Sequence, residues 1–263
     1  MSHTPTRPNA IFDHPRFRKF EDSTLAHLKQ YFPRHYRILG DDQVRLVIRD
    51  GWKRARRYGL TEVRCVRAYI DLMCLLGSGF DSDVLLPWAA ATLSSASGSA
   101  QAARADRLYA QAWRYIGEIA KDYRDNTGEP ITARFVDEIR GLRQDDQESL
   151  PDEKMAEFTT DLVQRLKQIF PAKYHHVGEW SVRAMIARAI VRARRYNVTS
   201  HRGLTLFSAQ MFILGGGFDK DLLLPWVSEI LVDETLAKPN ERVDRLLAGS
   251  VSALRTWWDS AKN

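Results

Sequence analysis

Cysteine is nearly absent: Cys65 and Cys74 are the only two in 263 residues, too few for a disulfide framework. Nine positions on one helix would set them on opposite faces, about 13 Å apart along its axis, so they are not expected to pair. Long apolar runs are missing too. No stretch approaches the roughly 18 to 20 residues that a membrane span needs, and the opening "MSHTPTRPNAIFDHPRF" has no apolar core of a secretory type. A cytoplasmic chain without a membrane partner is the expectation. Alternation of apolar and polar residues is absent as well, which argues against a sheet. No G-x-S-x-G, HExxH, dinucleotide fingerprint or Cys-His pairing occurs, so no familiar enzyme class is indicated and no cofactor is expected.

What is present is a repeat. "LGSGFDSDVLLPW" at 76–88 returns as "LGGGFDKDLLLPW" at 214–226, an offset of 138 residues. The register holds without a gap over 20–108. Phe20 meets Phe158, Phe32-Pro33 meets Phe170-Pro171, Tyr36 and Gly40 meet Tyr174 and Gly178, and "RARRY" at 54–58 returns at 192–196. The expected fold is therefore all-α, with two tandem units of about five helices each. The divisions read as a tail at 1–18, a first unit at 19–123, a connector at 124–153 carrying a short helix near 133–142, and a second unit at 154–263.

Helical spacing of Val44, Ile48, Trp52 and Ala55, answered by Val182, Ile186, Ala189, Ile190 and Ala193, predicts one buried face on each of two equivalent helices. Gly59 is replaced by Asn197, the two residue types that best tolerate the left-handed conformation closing a helix. Thr61 and Thr199 follow as expected N-caps. After the next helix come the glycines. Asp81 and Asp83, like Asp219 and Asp221, could ligate a metal, yet an oxygen site wants more oxygens than these. Turn and cap chemistry is the expected role, with Phe80 and Trp88 anchoring the corner in the core. A phosphate loop would need a preceding strand and a following lysine, and neither is there. The histidines His27, His35, His175, His176 and His201 each face another residue type in the opposite copy. They read as surface or core side chains, with no spaced ligand or nucleophile beside them.

Charge is uneven. The windows 34–67 and 172–205 each carry +6 in a chain whose net is +6, leaving the remainder at −6. Two readings of the basic windows follow. Arg54, Arg56, Arg57, Arg192, Arg194 and Arg195 could contact phosphates of a nucleic acid, or they could pair with the neighbouring aspartates as scaffold. Asp145, Asp146, Glu148, Asp152 and Glu153 form the densest acidic stretch.

The segments "LKQYFPRHYRILGDD", "RARRYGLT" and "YIDLMCLLGSGFDSDVLLPWA" resemble a family of helical bacterial proteins encoded beside type VI secretion effectors. The likeness covers 20–93 well and the second copy more loosely. It implies an immunity protein that binds and neutralises a cognate effector toxin, or an adaptor that loads the effector. No binding residue carries over, because the shared motif is the part read as scaffold. A cytoplasmic antidote implies a toxin acting inside the cell, such as a nuclease, and this makes Asp145, Asp146, Glu148, Asp152 and Glu153 the candidate protein-binding residues.

Overall fold

In a computed structural model of the chain, the described residues are 10–95, 100–120, 148–236 and 238–259. They form an all-α architecture, with one isolated bridge between Ser149 and Ser200 in place of any sheet. The first half runs α1 (Pro15–Tyr31), α2 (Pro33–Arg57), α3 (Val63–Leu76), a 3-10 turn (Phe80–Ser82), α4 (Pro87–Ser94) and α5 (Gln101–Ile119). The second runs α6 (Met155–Ile169), α7 (Pro171–Val177), α8 (Glu179–Arg195), α9 (His201–Leu214), a 3-10 turn (Phe218–Lys220), α10 (Pro225–Val232) and α11 (Pro239–Asp259). Val63–Leu76 and His201–Leu214 differ by the same 138 positions as the sequence repeat, as do both 3-10 turns.

Local chemistry sets the boundaries. Proline opens α2, α4, α7 and α10, where its missing N–H and preset φ cost nothing. Gly40 and Gly178 take φ of 72° and 80°. The first kinks α2, and the second separates α7 from α8, so one device gives a bent helix in one half and two helices in the other. α2 and α8 end in matching Schellman turns. Leu60 N–H donates to Ala55 O at 3.1 Å and Gly59 N–H to Arg56 O at 3.0 Å, while Val198 and Asn197 make the same pair of bonds to Ala193 and Arg194. Gly59 at φ 68° and Asn197 at φ 57° are the left-handed residues expected. Leu60 and Val198, the residues after them, are fully buried.

That descent into the core uses one residue more than the spacing suggested. The N-caps are Glu62 and Ser200, not Thr61 and Thr199. Ser200 accepts from Gly203 N–H. Glu62 makes no side-chain cap, and Gln101 at the start of α5 instead accepts from the N–H groups of Thr61 (2.7 Å) and Glu62 (3.0 Å).

α3 and α9 are the central helices. Val66, Tyr69, Ile70, Leu72 and Met73 are all but inaccessible on α3, and every residue from 203 to 212 on α9 is buried; helices apolar on all sides belong inside. Cys65 and Cys74 are both buried and free. The ring that fills each corner is Phe80 or Phe218. Trp88 is only half-buried against Tyr115, with ring centroids 6.3 Å apart, and Trp226 is half-buried over Gly249. The tryptophans are therefore lids on the corner rather than its core anchors, and truncating one should cost less than the ~3–5 kcal/mol of a fully buried ring. Among the described residues no helix is long and apolar enough to cross a membrane.

Candidate functional site

The twice-written corner meets itself. The glycine turn after α3 lies against the glycine turn after α9, backbone on backbone: a Cβ placed on Gly79 would stand 2.8 Å from Gly217 Cα, and one on Gly77 would stand 2.8 Å from Leu214 O. Across this contact the carboxylates are exchanged. Asp83 accepts from Gly216 N–H of the second half at 2.7 Å and from its own Leu85 N–H at 2.9 Å. Asp221 accepts from Ser78 N–H of the first half at 2.8 Å and from its own Leu223 N–H at 2.8 Å. Burial raises the Asp221 carboxyl above its ordinary range, and the N–H groups of Leu223 and Ser78 pull it back down.

The residues that follow are exchanged as well. Val84 and Leu85 pack into the core of the second half, and Leu222 and Leu223 into that of the first. Leu86 and Leu224 return to their own cores. Gln43 of α2 seals the crossing by donating to Leu222 O at 2.7 Å. Val177 touches both cores, and the ring of His176 lies 5.3 Å from that of Tyr115, where α5 packs on α7.

Asp81 and Asp219, the other members of the aspartate pairs, hold each corner to its own half. Arg54 bonds the Asp81 carboxylate, which also accepts from Tyr69 O–H at 2.6 Å and Tyr58 O–H at 3.2 Å. Arg192 pairs with Asp219 and also donates to Gly216 O, and Tyr196 O–H donates to Asp219 at 3.1 Å. Burial lifts the Tyr69 phenol far above its ordinary range, so it stays a donor. Among the described residues no group of three His, Cys, Asp or Glu is placed to hold a metal ion.

This geometry divides the six arginines considered for nucleic acid. Arg54 and Arg192, with side chains 17% and 23% exposed, point inward to aspartates and are not available to phosphates. Arg194 reaches Asp152 at 2.6 Å. Arg56 lies 4.7 Å over the Trp52 ring, and Arg57 and Arg195 are exposed. Of the acidic candidates, Asp145 and Asp146 lie outside the described residues, as does the expected short helix near 133–142. Glu148, Asp152 and Glu153 are exposed, and the chain there is strapped to the α8–α9 turn by Leu150 N–H donating to Thr199 O at 2.9 Å.

Where the copies differ, the first half holds a polar cluster that the periodicity did not disclose. The buried Asp71 carboxylate lies 2.9 Å from His27 Nε2 and accepts from Tyr109 O–H at 2.7 Å. Burial raises its pKa, against the lowering effect of the Tyr109 hydroxyl first and His27 second. The second half has Arg165, Ala209 and Leu247 at these positions. The signal was an aspartate inside an apolar helix facing an alanine in the other copy. The hydroxyl nearby, on Ser23, donates to Phe20 O and accepts from Arg67, so it is not poised as a nucleophile.

His35 and Lys173 are another unlike pair. The Lys173 ammonium is buried, donating to Phe212 O and lying 4.7 Å from the Phe212 ring. Burial lowers the His35 imidazole from 6.5 to about 4. The unfolded chain binds that proton first, so native stability is fully present above pH 6.5 and falls as pH drops toward 4, by up to roughly 3 kcal/mol. Denaturant titrations between these pH values should show this slope, and His35→Gln should flatten it.

No family model, curated protein or solved structure matches this chain.

Proposed function

We propose that the chain is a non-enzymatic immunity protein that binds and neutralises a cognate type VI secretion toxin acting in the cytoplasm, with a nuclease as the leading class of toxin. The observation that supports a binding role is the fate of the repeated polar residues. Asp81, Asp83, Asp219, Asp221, Arg54 and Arg192 are engaged with one another and with backbone groups inside the joint, leaving no free nucleophile, base or anion cradle in the motif. What such a molecule offers a neighbour is helix surface. Glu148, Asp152 and Glu153 are exposed and give an acidic stretch, continued in the sequence by Asp145 and Asp146, suited to the basic cleft of a nuclease.

The test is co-expression with candidate type VI secretion effectors, nucleases first. Restored growth, together with a complex that survives size-exclusion chromatography, supports the reading. Continued killing overturns it. A chain whose deletion silences effector delivery without harming the producing cell would instead be a loading adaptor. Nucleic-acid binding would show as a mobility shift that collapses steeply with salt, carried by Arg56, Arg57, Arg194 and Arg195 alone.

A further inference from the structure

α8 carries an apolar stripe that no described residue covers. Trp180 is 78% exposed and Val191 57%; Ala187 is exposed and Ala184 half-buried. At 100° per residue these four fall within about 60° of one another, and from first to last they span about 16 Å of helix. The stripe has charged borders. Arg188 and Arg195, both exposed, flank one side with no acidic partner among the described residues. Arg183 and Arg194 flank the other, paired with Glu179 and Asp152.

The first half shows what belongs on such a face. The equivalent positions of α2 are Asp42, Leu46, Arg49 and Lys53, and there the chain supplies its own cover. The Phe12 ring lies 5.5 Å from the Arg49 guanidinium and 4.8 Å from the Lys53 ammonium. Buried Glu21 accepts from Arg49 at 2.6 Å and from Arg45 at 3.0 Å. An aromatic ring and a carboxylate thus cap a basic helix face. In the second half threonines, Thr159 and Thr160, replace Glu21 and Asp22, and Leu150 in place of Phe12 packs on the second core. The carboxylate and the ring are both missing there, as are the cations they cap, since Ala187 and Val191 replace Arg49 and Lys53; on the border Arg195 answers Arg57, Arg188 replaces Asp50, and a tryptophan stands outward.

The geometry points to the Trp180–Val191 face of α8 as a docking surface for an acidic amphipathic helix of a protein partner, whose apolar residues cover Trp180 and Val191 and whose carboxylates meet Arg188 and Arg195. Such a helix lays its anchors at i, i+4 and i+7 into the stripe, and a solvent-exposed tryptophan is the type of residue that carries binding energy when covered. This deepens the proposed function: it rests on the binding role and places the contact opposite in charge to a basic nuclease cleft, so that the toxin would be held by a surface away from its catalytic centre.

The probe is a labelled helical peptide with leucines at i, i+4, i+7 and i+11 and glutamates on the flanks, titrated against the full chain by fluorescence anisotropy. A lysine-flanked peptide of the same apolar pattern and vesicles of phosphatidylglycerol serve as comparisons. Saturable binding of the acidic peptide is expected, weakened tenfold or more by Trp180→Glu and by Arg188→Glu/Arg195→Glu, with unchanged melting because these side chains are exposed. Equal binding of the lysine-flanked peptide, preference for the vesicles, or indifference to Trp180→Glu would each overturn the assignment. If Trp180→Glu still protects cells fully in the growth assay, this surface is wrong while the immunity reading stands. If the wild-type chain binds the acidic peptide but protects against no toxin, the reverse holds.

Discussion

Asp81→Ala is expected to lower stability by about 3–5 kcal/mol, the scale for removing one partner of a buried ion pair. The substitution takes from the Arg54 guanidinium, 17% exposed, its buried partner, a carboxylate 7% exposed, and leaves it only the half-exposed Asp50 at 3.6 Å; it also removes the acceptor shared by Tyr58 and Tyr69. Asp219→Ala should behave alike through Arg192 and Tyr196. Urea denaturation of the two single variants checks this. Arg54→Met/Asp81→Leu should recover a large part of the loss, because a vacant pair of apolar side chains costs far less than one unpaired charge. A single variant that unfolds within 1 kcal/mol of wild type would mean that the corner is held by its apolar contacts alone.

Gly79→Ala and Gly217→Ala should each cost about 3 kcal/mol or more, although neither glycine has a positive φ. The reason is proximity. The new methyl would stand 2.8 Å from Gly217 Cα in the first case and 2.9 Å from Gly79 Cα in the second, and a backbone obstacle cannot rotate aside as a side chain can. The two turns would have to part, stretching the bonds from Gly216 to Asp83 and from Ser78 to Asp221 and loosening the exchanged leucines. Gly117→Ala provides the contrast. It lies within α5 with nothing near its would-be Cβ, so alanine there should gain about 0.5–1 kcal/mol. Thermal melts of the three variants separate steric close approach from glycine's flexibility as the reason for the loop's composition. Hydrogen exchange at the Ser78 and Gly216 amides should accelerate in the first two only.

Much of the architecture was legible in the residues. The helix ends at Gly59 and Asn197, the proline starts and the matched elements at a fixed offset all follow from backbone preferences that act locally. The pairing of Arg54 and Arg192 with aspartates was one of two open readings, since a guanidinium 27 residues from a carboxylate along the chain carries no mark of where it points. The cap positions were missed by one residue because the buried Leu60 and Val198 draw the chain inward before the next helix begins. The His27–Asp71–Tyr109 cluster and the α8 stripe were missed for a different reason. Each joins or exposes residues whose relation depends on which helix packs beside them.

The sequence by itself determined that the chain is helical, that it says the same thing twice, and that its glycine corners are framework with turn-forming aspartates. Only the tertiary structure decided what the framework frames: Asp83 and Asp221 bond the opposite half, Leu85 is buried in its core and Leu223 packs against it. A turn's own geometry is set within a few residues by φ, ψ and nearby N–H groups, and is therefore written locally. Which surface a turn presses against depends on how the two halves lie side by side, and that is a property of packing over more than a hundred residues of chain separation.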